Sequence, residues 1–90
     1  MVNKVAWITG AGSGIGEASA IKLSDEGFIV VLSGRTKQAL DNVASKCKGE
    51  ASVKPLDVSN SEDVKDVFES IISEYGRVDV LVASAGLNAK

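Results

Sequence analysis

Thr9-Gly10-Ala11-Gly12-Ser13-Gly14-Ile15-Gly16 is the stretch whose residue types and spacing could hold an anion. It follows an apolar run, Val5-Ala6-Trp7-Ile8, and leads into a segment with helical periodicity. A strand, a glycine turn and a helix start together make an anion site, because the first free N–H groups of a helix point at whatever precedes them. The helix dipole adds partial positive charge at the same place. Glycines let phosphates approach backbone that a Cβ would shield. A phosphate-bearing nucleotide is therefore the expected ligand.

The elements around this loop alternate. Val5–Ile8 reads as a short buried strand. From Ile15, the residues Ile15, Ala18, Ala20, Ile21 and Leu23 are expected to form one helix face, with Gly27 ending the helix. Phe28–Leu32 is apolar on both faces, as in a strand covered by helices on both sides. After Ser33-Gly34-Arg35, Thr36 is a candidate N-cap. Leu40, Val43, Ala44 and Cys47 give the stripe of a second helix, closed by Gly49. Ala51–Leu56 reads as a third strand, and Pro55, lacking an N–H, places it at a sheet edge. Ser59 and Glu62 have capping-box spacing, and Val64, Val67, Phe68, Ile71, Ile72 and Tyr75 mark a third helix, ended by Gly76. Val78–Ala83 is a fourth strand. Trp7, Phe68 and Tyr75 are expected in the core, and Cys47 as a buried, inert thiol.

The fold class predicted is α/β, a Rossmann-like doubly wound parallel sheet in the order β-α-β-α-β-α-β, with right-handed crossovers. For a nucleotide-binding half of this type the strand order is 3-2-1-4, which puts the Pro55 strand at the edge. The first two helices then share one face, and the third lies on the other. Residues 1–90 read as a single nucleotide-binding domain.

Composition removes several chemistries. With no histidine, a Ser-His-Asp triad, a Cys-His pair and most zinc sites are excluded within these residues. A single cysteine forbids an internal disulfide and fits a reducing compartment, so the expected location is cytoplasmic. A net charge of −2 gives no case for nucleic acid or anionic membrane as partner. The longest apolar run, Phe28–Leu32, is far short of the ~20 residues of a membrane span. The short apolar run before Thr9 is not expected to act as a secretory signal.

Spacing decides among the glycine loops. A phosphate loop of the NTPase kind needs Gly-Lys-Ser/Thr, which is absent. The common GxGxxG form would need glycine where Ile15 stands. The pattern Thr-Gly-x-x-x-Gly-x-Gly on Thr9, Gly10, Gly14 and Gly16 resembles the short-chain dehydrogenase/reductase family. Ser33-Gly34-Arg35, Asp57-Val58 and Leu81-Val82-Ala83-Ser84-Ala85-Gly86 follow at the intervals of that family, each at the end of a strand. The resemblance covers nearly all ninety residues. It implies a nicotinamide cofactor held by Gly10, Gly12, Ser13, Gly14, Ile15 and Gly16 at the phosphates. It further implies Ser33, Gly34 and Arg35 at the ribose end, Asp57 and Val58 around adenine, and Ala83, Ser84, Ala85 and Gly86 at the last turn. No Asp or Glu stands between Gly27 and Gln38 to bind the ribose hydroxyls of NAD. A guanidinium there suits the 2′-phosphate of NADP, so NADP is the expected cofactor and NAD the alternative. Asp57 reads equally as a charge favouring the following helix.

Two departures from the family pattern are visible. Ala83 and Ser84 replace asparagines, and Ser84 can restore only part of their bonding. The catalytic Tyr-x-x-x-Lys of the family is not in these residues: the only tyrosine is Tyr75, and Asp79 stands four residues on. The expectation is thus the cofactor-binding part of an oxidoreductase that moves hydride between NADP(H) and a carbonyl or alcohol, inactive by itself. A fourth strand left as an open edge should make the isolated chain marginally stable or self-pairing, so a homo-oligomer is expected. The alternatives are a non-catalytic dinucleotide-binding or interaction module and, less favoured because Arg35 replaces the acid that would hold ribose hydroxyls, a methyltransferase.

Overall fold

The structure, a computed structural model, describes residues 3–84. Its elements are β1 (Val5–Thr9), α1 (Gly14–Asp25), β2 (Ile29–Ser33), α2 (Lys37–Lys46), β3 (Ala51–Val53), α3 (Ser61–Tyr75) and β4 (Val80–Ala83). All four strands run parallel in the order β3-β2-β1-β4. As Pro55 requires, β3 lies at an edge, and it stops two residues before the proline. Both the third and fourth strands are shorter than their apolar runs suggest, and each is paired on one side only among the described residues.

β1 is central, and every one of its residues is buried. Side chains alternate across the sheet. Ala6 and Ile8 join Val30, Leu32, Ala20, Leu40 and Val43 in a core beneath α1 and α2. Val5 and Trp7 join Val31, Leu56 and Ile71 in a core beneath α3. This is the expected layering of two helices on one face and one on the other.

α1 packs differently from its apolar pattern. Its buried residues are Gly16, Ala20 and Ser24, four apart, whereas Ile15 is 60% exposed and Ala18 is also exposed. Small side chains at i, i+4 and i+8 let the helix backbone sit close to the sheet, which a face of Ile15 and Ile21 would not. The helix ends as expected. Gly27, at φ +97°, donates to the Ser24 carbonyl, and Phe28 N–H donates to Leu23. α2 ends at Lys46, before the expected Gly49, whose N–H is instead taken by the Ser24 hydroxyl at 3.0 Å. Cys47 is the residue capping that end and is half-buried, with burial pushing its thiol pKa up.

The capping box on Ser59 is not formed. Asn60 is the N-cap of α3, and its side-chain oxygen accepts from Glu62 N–H at 3.0 Å and Asp63 N–H at 3.2 Å. Ser59 is drawn instead to Asp57. Asn60→Ala should cost about 1 kcal/mol of stability, read as a fall in the urea midpoint; an unchanged midpoint would show that the cap contributes nothing. Phe68 also departs from expectation, with its ring 6.3 Å from that of Trp7 but 44% of its surface exposed. A single helix over this face covers Trp7 and leaves Phe68 and Leu81 partly open. Tyr75 is half-buried and donates its hydroxyl to Glu50 at 3.1 Å. No helix among the described residues is long and apolar enough to cross a membrane.

Candidate functional site

In the parallel register Thr9 stands opposite both Ser33 and Ala83. The three strands therefore deliver their following turns to one end of the sheet. The loop after β1 turns at Gly10, at φ +68°, and enters α1 at Gly14, at φ +61°. Between them Ala11 is buried and donates its N–H to Ser33 O at 3.0 Å, tying the loop to the end of β2. A Cβ on Gly12 would lie 3.1 Å from that of Ala39, so the loop rests against α2.

Ser13 is the N-cap of α1, and its side chain makes no capping hydrogen bond. α2 likewise starts without a side-chain cap, although Thr36 does occupy the expected N-cap position. Among the described helices only α3, on the opposite face, has its first amides satisfied by a side chain. The two helix starts that border the site therefore keep donors available for an anion.

The cleft between these turns has a volume of about 470 Å³. Gly10, Gly12 and Ser13 form one wall, Gly34, Arg35 and Thr36 another, and Val58 closes the side toward β3. Ala39, Leu40 and Leu56 supply the apolar lining. No motif marks those three: Leu40 belongs to the apolar stripe of α2, Leu56 ends the apolar run of the third strand, and both are buried, while Ala39 is half-buried beside that stripe. Arg35 extends into solvent with a side chain 76% exposed, its Nε 3.9 Å from Asp57 Oδ1. Its neighbour Lys37 is turned along α2 to Asp41 at 2.9 Å.

The expected site residues separate into two groups. Gly10, Gly12, Ser13, Gly34, Arg35 and Val58 meet in the cleft, with Asp57 at its rim and Gly14 and Ile15 at the helix start. Ser33, Gly16 and Ser84 are buried and do not line it. The Ser33 hydroxyl is fully buried, accepts from Trp7 Nε1 at 2.9 Å and donates to Lys54 O at 2.8 Å, so its proton is committed to the protein. Ser84 is buried too, donating Oγ–H to Thr9 O at 2.7 Å across the junction of β1 and β4. Ala83 is exposed at the end of β4, while Ala85 and Gly86 lie outside the described residues.

Two carboxylates are held below the ordinary aspartate range. Asp57 accepts from the Ser59 hydroxyl at 2.7 Å and from Ser59 N–H at 3.0 Å, with Arg35 a smaller influence. Asp79 is gripped by Arg77 through two bonds of 2.8 Å and by Val5 N–H. A folded pKa below the unfolded one contributes stability that is present above about pH 4 and lost as pH falls through the depressed folded values. The urea midpoint should therefore be flat from neutrality to about pH 5 and decline below about pH 4. A midpoint that rose on acidification would contradict this.

A family model described as short chain dehydrogenase matches residues 4–90. An uncharacterized oxidoreductase of Staphylococcus aureus (strain USA300) is 45% identical over 87 residues, covering 96% of this chain and 38% of the relative. Among solved structures, a metagenomic short-chain oxidoreductase in complex with NADP superposes with a TM-score of 0.86 at 36% identity, over 90% of this chain and 38% of that one. A 3-ketoacyl-(acyl-carrier-protein) reductase from Brucella melitensis complexed with NADH gives 0.82 at 39% identity, over 89% and 33%. The chain thus spans between a third and two fifths of the relatives it matches. With the glycine loop, the strand order and the family match in agreement, the chain belongs to the short-chain dehydrogenase family.

Proposed function

We propose that these residues bind the adenosine and pyrophosphate half of NADP(H) for an oxidoreductase that moves hydride between the cofactor and a carbonyl or alcohol. The single observation that carries the reading is the uncapped start of α1, opening on a cleft whose far wall presents Arg35. The pyrophosphate is assigned to the amides from Ser13 to Gly16, the 2′-phosphate to Arg35, and adenine to the side bounded by Asp57 and Val58. The bound cofactor supplies the hydride chemistry. The chain's own part is to hold and orient it, since the Tyr-x-x-x-Lys implied by the family is not among these residues. A cytoplasmic location, a single domain over 1–90 and a homo-oligomeric whole protein belong to the same proposal.

NAD is the second reading, favoured by the NADH-bound Brucella melitensis relative. Titration with NADPH and with NADH, followed by the fluorescence of the reduced nicotinamide, tests the choice. NADPH should bind about 10-fold or more tightly, the value of a charge-assisted contact to one extra phosphate. Equal affinities, or no binding of either, would remove the reading.

A further inference from the structure

Arg35 and Asp57 are twenty-two positions apart in sequence and come from different crossovers, yet they meet at the cleft rim. The turns that carry them are strapped together just behind, where Leu56 N–H donates to Gly34 O at 2.9 Å. The Arg35 contact runs through Nε at 3.9 Å, and the side chains are 76% and 45% exposed. Such a pair adds little to stability. Its field, however, reaches the place where an anion would be recognised.

Asp57 is not free to swing away. Both Ser59 donors fall on its Oδ1, fixing the carboxylate beside the guanidinium. A second negative charge stands behind it, because Asp63 Oδ2 accepts from Asp57 N–H at 3.4 Å. Lys37 does not redress the balance, being paired with Asp41. The cation that faces the cleft is therefore partly neutralised before any ligand arrives.

We infer that Asp57 is a specificity-determining residue, whose fixed carboxylate weakens the preference of Arg35 for a 2′-phosphorylated dinucleotide over an unphosphorylated one. This rests on the cofactor reading proposed above. The two cofactors differ only in that phosphate, so whatever Asp57 gives to adenine is common to both and cancels in the ratio of their affinities. What survives in the ratio is repulsion between a carboxylate and a dianion.

The experiment measures NADPH and NADH dissociation constants by nicotinamide fluorescence for the wild-type protein, Asp57→Asn and Arg35→Ala. Asn retains the Oδ1 acceptor for Ser59, and Asp57→Ser serves as a second charge-free variant should Asn not fold. Asp57→Asn should raise the NADPH-over-NADH affinity ratio about three- to tenfold at low salt, with the gain shrinking at about 300 mM salt. A ratio that is unchanged, or that falls because Arg35 loses its orientation, would overturn the inference while leaving the cofactor reading intact. If Arg35→Ala left the wild-type ratio unaltered, the cofactor reading itself would fail, and this inference with it.

Discussion

Gly16→Val should yield little or no folded protein. A Cβ at this position would lie 2.1 Å from Gly10 O, 2.7 Å from Gly10 C and 2.7 Å from Ser84 Oγ. Two of those atoms are backbone, and the loop that carries them is held by the bond from Ala11 N–H to Ser33 O. Ser84 cannot retreat without giving up its bond to Thr9 O. The conflict is one of space and not of dihedral preference, since Gly16 lies inside a helix and is not among the positive-φ glycines. Overpacking of this severity costs about 3 kcal/mol or more, a large share of the 5–15 kcal/mol that holds a typical domain together. Gly14→Ala provides the contrast, with φ +61° but nothing within 4 Å of its Cβ. It should cost only about 1–2 kcal/mol of backbone strain and give a folded, weakened protein. Circular dichroism and urea titration of the two variants would distinguish them. A Gly16→Val protein with wild-type melting would mean that α1 does not sit this close to the loop.

Arg35→Ala should do the reverse, changing binding while sparing the fold. The side chain is largely in water, and its nearest carboxylate is at 3.9 Å, so its removal should shift stability by less than about 0.5 kcal/mol. A guanidinium–phosphate contact is worth about 1.5–3 kcal/mol, which sets the expected loss of NADPH affinity at about 10- to 100-fold. NADH affinity should remain within about twofold, because the missing cation addressed a group that NADH lacks. Isothermal titration of both cofactors would measure this, and an unchanged NADPH constant would withdraw the role given to Arg35.

The architecture was legible because it rests on signals that short sequence windows carry. Phe28–Leu32 has no polar face, so helices had to cover both sides of the sheet, and Pro55 had to sit at an edge. What escaped was the packing that depends on smallness. Gly16, Ala20 and Ser24 make the contact face of α1 because they allow close approach, yet none of them stands out by hydrophobicity. Competition among neighbouring acceptors was equally hidden: Ser59 had the spacing of a cap, but Asp57 claims its hydroxyl and Asn60 takes the helix. The family resemblance puts Ser33 at the ribose end of the ligand. In a strand flanked by β1 and β3 its side chain alternates with Val31 onto the α3 face, where its hydroxyl satisfies Trp7 and Lys54. The approach of Arg35 to Asp57 joins two crossovers, and no local pattern could have announced it.

The order in which β1 acquires its partners bears on how the molecule assembles. Val5 pairs with Ile29, but Ala6 pairs with Val80, so the second union closes a loop roughly three times longer and costs about 1 kcal/mol more in chain entropy. During synthesis the first β-α-β unit, with the glycine turn and the Ala11 tie to Ser33, can therefore condense long before β4 emerges. The Ser84 hydroxyl closes onto Thr9 last. The glycine turn to which the phosphates are assigned above is therefore an early product of folding, and the strand on the other side of β1 is a late one.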